Sequence, residues 1–501
     1  MIDKHRSPKR VYNIGACGGI LVKTQITTIQ KNTLVMKFGG TSVGTPDAMR
    51  QAVSIVKNEK AQWKNVVVIT SALSGVTDTL LKMASCETIS NPKALDMFAL
   101  ELIQKHDEIA NALIHEPVLF QQTIQAINEV ISQVVNLCKA IAVLGESTPR
   151  VMDTIASAGE RMCIHLLAAA LNSAGVPATA IEATRLIVTD EHYGDAHPDF
   201  ARTKKNTCKV LNPILEGGKV PVITGFMAAS EAGTITTLGR GGSDYSAAII
   251  GAALPADDVW IYTDVNGVMT ADPRLVPDAS TVPVCSFREI AELAYYGAKV
   301  LHPKTIRPVI EAGIGLRVCN TFQPEHPGTR LVSELDAQHD VIKAITTVRG
   351  LKLITLEGRG MLGVPGVAAK TFETVARLGT SVPLITQASS EQSICFAVPS
   401  EKADQVIAML SKSFAHEIES RDIDRVWATD EVGIVTVVGE GMRSTPGVAG
   451  RVCTALGDNK VNIVAMAQGS SEVAISVMVN AADLQPALKV LHKLINHSDA
   501  A

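Results

Sequence analysis

From residue 33 to about residue 330, short unbroken aliphatic runs alternate with longer stretches in which apolar positions recur every three to four residues. The runs 33–38, 66–70, 220–226, 259–264 and 316–320 show little polar alternation, the pattern of strands buried on both faces of a sheet. Helices are expected between them. Thr45 before Pro46 makes a cap and a first helical position, 243–254 opens on a glycine loop, and 94–143 reads as mostly helical with charge along one side. Alternation of this kind predicts an α/β domain, a mostly parallel sheet sandwiched by helices, with ligands at the carboxyl ends of the strands.

The last third repeats itself. Thr436 lies 81 positions after Thr355, and at that shift TLEGRGMLGVPGVAAK aligns with TVVGEGMRSTPGVAGR, and QASSE at Gln387 with QGSSE at Gln468. Over 355–400 there are 14 identities in 46 ungapped positions, where chance would give about three. Each copy reads as a strand, a Gly-Pro loop, a helix and two more strands. One such βαββ unit cannot cover its own sheet, so the two are expected to pair. Gly358, Gly360 and Gly363 spell G-x-G-x-x-G, but the second copy has Ser444 at the third glycine and the strand that should end in a ribose-binding acid ends in Gln387. A small-ligand loop at a repeat or subunit interface fits better than a dinucleotide site.

The 501 residues are 46% hydrophobic and only 4% aromatic, with a net charge of −4, an aliphatic chain of several domains with no basic footprint for nucleic acid. No uninterrupted apolar run reaches the roughly 18 to 20 residues of a membrane span. Nine cysteines without a Cys-x-x-Cys pair point to reduced thiols in a cytoplasmic setting. Residues 1–32 carry six Lys or Arg against the single acid Asp3 and read as a disordered extension or upstream start, with a targeting segment as the alternative.

Candidate chemistry gathers at strand ends. LVMKFGGTSV brings Lys37 to the end of a strand with Gly39 and Gly40 after it, a way to hold phosphate without a Walker loop. A plain corner with a surface lysine would read the same from these residues alone. LGRGGSDYS sets Arg240, Ser243 and Asp244 among glycines at a helix start, where N–H groups favour anions, and arginine suits a carboxylate. IYTDVNGVMTADPR leaves a buried strand through Thr263 and Asp264 and reaches Arg274, while FREIAELAYYGAKVLHP supplies Lys299.

Taken together and in this order, these segments resemble aspartokinase, of the amino acid kinase family, and the repeat resembles its pair of ACT regulatory domains, most closely those of the fused aspartokinase–homoserine dehydrogenases. The resemblance spans about 33–497. It implies an amino acid kinase catalytic domain over 33–330 and ferredoxin-like ACT domains over 340–420 and 431–501. It further implies ATP-dependent phosphorylation of L-aspartate to 4-phospho-L-aspartate, the entry to lysine, threonine and methionine synthesis, with Mg²⁺ accompanying ATP.

By that resemblance Lys37, Phe38, Gly39 and Gly40 line the phosphate site, Lys37 stabilises the transferring group, and Asp244 holds the lysines. Aspartate would meet Thr77, Glu160, Arg240, Gly241, Gly242 and Ser243, with Glu160 facing its ammonium group. ATP would also meet Thr263, Asp264, Met269, Arg274 and Lys299. Met269 stands where many members carry tyrosine, which removes a hydroxyl. Effector contacts fall on Met361, Gln387, Ser389 and Gln468, with threonine the first expected inhibitor and lysine the second, and a homodimer or higher assembly is expected through the repeats. Another amino acid kinase, acting on glutamate or uridylate, and a non-enzymatic amino acid sensor are the competing readings.

Overall fold

The computed structural model describes residues 31–89, 91–295, 301, 303–333 and 340–495. Residues 1–30 of the extension expected over 1–32, and Lys299, lie outside them, while Lys31 and Asn32 already belong to the first strand. In the first domain the strands are β1 (Lys31–Phe38), β2 (Trp63–Thr70), β3 (Ala178–Ile181), β4 (Val188–Thr189), β5 (Val220–Thr224), β6 (Met227–Ser230), β7 (Ile235–Thr237), β8 (Asp258–Thr263), β9 (Val284–Ser286), β10 (Gly315–Asn320) and β11 (Thr329–Val332).

The main sheet runs β3-β5-β2-β1-β8-β10-β11-β9. From β3 to β10 every pairing is parallel, and β10–β11 is antiparallel. β1 is central because both its faces are covered. Leu34, Met36 and Phe38 point into one core with the helices Pro46–Lys60, Pro92–Leu113, Pro117–Leu144 and Ala158–Ser173, while Val35 points into the other with the helix Gly242–Ala253. All four are fully buried, and each such side chain contributes about 1.5–3 kcal/mol. The chain passes from β1 to β2 on one side and later returns through β8 on the other. The crevice where strand order reverses therefore opens at the carboxyl end of β1. A small sheet, β4-β6-β7, stands beside it.

The stretch expected to be mostly helical is two helices, Pro92–Leu113 and Pro117–Leu144, divided at Pro117. Glu116 before it is extended, with φ −82° and ψ 120°, because the proline ring disfavours the helical conformation of the preceding residue. The helix Pro117–Leu144 is long and apolar enough to cross a membrane by length and composition, although polar residues interrupt its apolar runs. Its buried positions, Thr123, Ile127, Val130, Ile131, Val134, Cys138 and Ile141, form one stripe at helical spacing that packs in the first core.

The repeat units share a second sheet of β12 (Ala344–Glu357), β13 (Ile385–Gln387), β14 (Ser393–Pro399), β15 (Arg425–Val438), β16 (Ala465–Gln468) and β17 (Ala474–Asn480), in the order β13-β14-β12-β15-β17-β16. Leu351 pairs with Val432, its own equivalent 81 positions on, so the copies meet across a local twofold axis. Positive φ angles recur at the same shift: Gly366 and Gly447, Gly379 and Lys460, Glu391 and Glu472. The axis also exchanges strands. Residues 344–348, within the span expected for the first unit, pair with 434–438 of the second. The first unit is completed in turn by 425–428.

This crossing explains the glycines of the false dinucleotide motif. A Cβ on Gly358 would lie 2.5 Å from Ile423 Cα, and one on Gly439 would lie 3.0 Å from Ile342 Cα. Each loop thus presses against the backbone that leads into the other unit's long strand.

Glu289 fastens the two halves. It sits in the first turn of the helix Phe287–Tyr295 and forms a capping box with Ser286: its N–H donates to Ser286 Oγ at 3.1 Å, and its Oε2 accepts the Ser286 N–H at 2.8 Å. The same Oε2 accepts from Lys343 Nζ at 3.1 Å, and Oε1 accepts the Glu440 N–H at 2.7 Å. The side chains are 0% and 6% exposed. Removing one member of a buried pair strands the other charge, at a cost of about 3–5 kcal/mol. Thermal unfolding should therefore show Glu289→Ala strongly destabilised and the double variant Glu289→Leu/Lys343→Met restored only in part, because the Ser286 and Glu440 N–H groups lose their acceptor in both. An unchanged midpoint in the single variant would contradict the assigned role.

Candidate active site

The carboxyl end of β1 turns immediately. The Gly39 N–H donates to the Tyr262 carbonyl at 3.2 Å, and a Cβ on Gly40 would lie 2.9 Å from the Ala72 carbonyl oxygen, so Gly40 has no spare room on its protein side. Phe38 stacks on Tyr262 with centroids 4.9 Å apart. Lys37 rises from the floor of the crevice to Asp244 in the first turn of the helix Gly242–Ala253, with Nζ 2.6 Å from Oδ1 and both side chains largely buried. Gly241 precedes that helix with φ +72°, a conformation that favours glycine.

A cleft of about 280 Å³ opens beside this pair, lined by Lys37, Ser71, Thr77, Glu160, Phe226, Gly239, Arg240, Gly241, Gly242, Ser243 and Asp244. Every residue expected at the acceptor site thus reaches one cavity. Glu160 lies on the helix Ala158–Ser173 and is 4% exposed. Burial pushes its carboxyl up to about 8, against backbone hydrogen bonds and the Lys37 charge, which pull it down. Its Oε2 is buried without a hydrogen-bond partner among the described residues. Gly159 lets the helix come this close, since a Cβ there would lie 2.5 Å from that of Ala72.

Sequence reasoning missed Ser71 and Phe226. Both follow strands whose carboxyl ends face the crevice, and that position was the available signal. Phe226 has φ +65° and interlocks with the glycine loop: a Cβ on Gly242 would lie 2.8 Å from its ring, and one on Gly225 2.6 Å from Ser243.

A second cavity, of about 260 Å³, is lined by Thr263, Asp264, Val265, Met269, Ala271, Asp272, Pro273, Arg274 and Leu293 on the catalytic side. Four of the residues expected to meet nucleotide, Thr263, Asp264, Met269 and Arg274, come together here, while Lys299 falls outside the described residues. The Arg274 guanidinium lies 2.6 Å from Asp272 and holds that carboxyl below its usual range. The Met269 sulfur accepts from Thr281 Oγ1 at 3.7 Å, so it serves the loop's own packing as well as the cavity wall.

The effector residues separate. Met361, expected on an effector surface, is 3% exposed and packs in the first unit's core, because the short 3-10 turn Arg359–Met361 points it inward. Leu362 and Val364 carry the exposure instead, at 60% and 51%. Gln387, Ser389 and Gln468 are exposed at strand ends, and β13 and β16 lie against each other across the local twofold. The Glu391 carboxylate accepts the Gly363 N–H at 3.1 Å, tying the Q-x-S-S-E turn to the glycine loop. The equivalent features of the second unit face the catalytic domain: Arg288 pairs with Glu440 at 3.4 Å, and Ser471 Oγ donates to Glu292 Oε1 at 3.5 Å.

Comparisons with known proteins agree with this architecture. Residues 32–320 match the amino acid kinase family, and 354–414 and 435–494 match the ACT domain. The chain is 33% identical over 463 residues to a bifunctional aspartokinase/homoserine dehydrogenase of Haemophilus influenzae, covering 92% of this chain and 56% of the relative. It is 31% identical over 483 residues to aspartokinase 3, chloroplastic, of Arabidopsis thaliana, covering 94% and 83%. The chain spans about half the length of the bifunctional relatives it matches. E. coli aspartokinase III in complex with aspartate and ADP superposes with a TM-score of 0.76 at 29% identity, over 93% of this chain and 100% of that one. Aspartate kinase from Clostridium acetobutylicum gives a TM-score of 0.76 at 27% identity, over 92% and 100%. With a matching catalytic fold over more than half its length and two ACT units behind it, the chain belongs to the amino acid kinase family.

Proposed function

We propose that this chain is an aspartate kinase, transferring the γ-phosphoryl group of ATP to the side-chain carboxylate of L-aspartate. The observation that carries the reading is the acceptor cleft, where the Lys37–Asp244 pair, Arg240 and the unpartnered buried Glu160 share one cavity at the strand-order reversal. The expected domain spans, 33–330, 340–420 and 431–501, are retained, with the second ACT unit completed by residues 344–348. Further support comes from E. coli aspartokinase III, which binds aspartate with ADP and, in another structure, lysine with aspartate.

The chemistry asks for placement and charge. The attacking carboxylate has a reference pKa of about 3.9 and is already ionised at neutral pH, so no general base is needed. Lys37, anchored by Asp244, neutralises charge on the phosphoryl group as its bond to the leaving ADP breaks and the new bond to the acceptor oxygen forms. Arg240 grips the substrate's α-carboxylate, and Glu160 takes its ammonium group. Mg²⁺ would be carried mainly by the triphosphate and water, where it would supply charge neutralisation.

Regulation is assigned to the ACT units, with threonine the first-choice inhibitor and lysine the second, both acting through Gln387, Ser389 and Gln468. Coupling free energies of this kind are typically about 1–3 kcal/mol. The exposed apolar residues Leu362, Val364, Ile385 and Met466 support a homodimer through these units.

Hydroxylamine trapping of acyl phosphate with ATP, Mg²⁺ and L-aspartate tests the activity. Product that disappears on adding threonine or lysine is expected, and amino acid binding without product would favour the sensor reading. Glu160 gives a pH signature. Its raised pKa keeps it protonated below about 8, whereas the substrate's ammonium favours the ionised form, so binding must expel a proton and each pH unit below that value costs about 1.4 kcal/mol. Aspartate affinity should rise from pH 6 to 8 and then level, with nearly one proton released per molecule bound at pH 6.5 by calorimetry in two buffers. A flat profile would rule out the ammonium role. Gln387→Ala should blunt inhibition about tenfold while leaving basal turnover intact, and unchanged inhibition curves would remove it from the effector site.

A further inference from the structure

The loop that carries Met269 and Arg274 packs away from the catalytic core. Ala271 and Val276 belong to the hydrophobic core of the second ACT unit, with Ile342, Ile345, Val435, Val437 and Leu488. Polar contacts fix the same attachment. The Ile345 N–H donates to the Thr270 carbonyl at 2.7 Å, and the Thr270 hydroxyl, which accepts the Ser280 N–H at 3.0 Å, lies 2.9 Å from His492 Nε2.

The cavity beside this loop is therefore composite. Its catalytic wall carries Thr263, Asp264, Asp272 and Arg274, and its far wall is made of Ile345, Thr346, Thr347 and Leu488 from the ACT unit. A packing defect would be lined by apolar groups throughout. Here the charged groups, Asp264, Asp272 and Arg274, all lie on the catalytic side and the ACT side offers only uncharged ones, the division expected of a site that holds phosphate at one end and a base at the other.

The strand edge adds specificity. In an antiparallel strand the backbone groups of alternate residues point to the same side. The Ile345 N–H points away from β15 to Thr270, so Thr347 turns its N–H and carbonyl the same way, along the edge that borders the cavity. A neighbouring N–H and C=O match the N1 acceptor and the 6-amino donor of adenine.

We propose that the second ACT unit forms the base-binding wall of the nucleotide site, with the β12 backbone at Thr347 reading the adenine edge and Leu488 packing on the ring. This rests on the reading of the cavity as the ATP site. Nucleotide affinity then depends on a regulatory unit being docked, and a purine with a 6-oxo group meets the carbonyl of Thr347 with an acceptor of its own.

Photolabelling of the full-length protein with 2-azido-ATP and 8-azido-ATP, followed by peptide mapping, tests the wall without altering any residue. Label on peptides containing residues 341–352 or 484–495, competed by unlabelled ATP, is expected. Competed label confined to 261–295 overturns the ACT wall alone. Label that ATP does not compete, with no heat of ATP binding in calorimetry, overturns the ATP reading itself. In a parallel arm, Thr347→Glu should raise the ATP KM about tenfold or more and leave the aspartate KM within about twofold. An unchanged ATP KM in a variant that unfolds at the wild-type temperature overturns the proposal, and if that variant does not fold, the labelling pattern decides.

Discussion

One buried carboxylate sets the relation between the two halves of this protein. Glu289 is fully excluded from water, so each of its oxygens must find donors inside the fold. It finds one in its own capping box, one in Lys343 at the entry to β12 and one in the Glu440 N–H of the second ACT unit. A helix start in the catalytic domain is thus completed by groups from the regulatory half. Separating the halves would leave Glu289 with the Ser286 N–H alone and Lys343 without its carboxylate, which is why their contact is a specific register and not a loose apolar face.

The catalytic crevice follows from a different constraint. β1 is buried on both faces, so its one charged side chain beyond Lys31 can appear only at the carboxyl end, where the parallel neighbours β2 and β8 also stop. Lys37 arrives there already committed to Asp244. The glycines around it are required less by flexibility than by closeness: Gly40 against Ala72, Gly159 against the same residue, Gly225 and Gly242 against Ser243 and Phe226. Four backbone approaches draw the β1 corner, the Glu160 helix and the 239–244 loop into one small volume.

Much of this is legible in the sequence. The five aliphatic runs all became parallel strands, because continuous burial leaves a simple signature. The 81-residue shift carried through to backbone angles. Short elements were not legible: β4, β6, β7 and β9 have two to four residues each, too few for a period to declare itself, and they are held by tertiary hydrogen bonds. The strand exchange between repeats was hidden because residues 344–348 resemble any other apolar run, and only their pairing partner reveals which sheet they complete. Met361 was misplaced for a related reason, since sequence places it in an exposed loop while a single turn of 3-10 helix rotates it into the core. Thr77, Glu160 and Arg240 could be linked only through family likeness, because they lie far apart in the chain and meet by folding alone.

The local twofold between Leu351 and Val432 has a history written into it. Two identical chains meeting on such an axis must change together, since any substitution strikes both sides at once. Joining the copies in one chain lifts that obligation. Leu362, Gly363 and Val364 of one unit now correspond to Arg443, Ser444 and Thr445 of the other, and the second unit has gained contacts to the catalytic domain at Glu440 and Ser471. Two units that share one pattern thus no longer have to change alike, and the second has become the anchor to the catalytic domain.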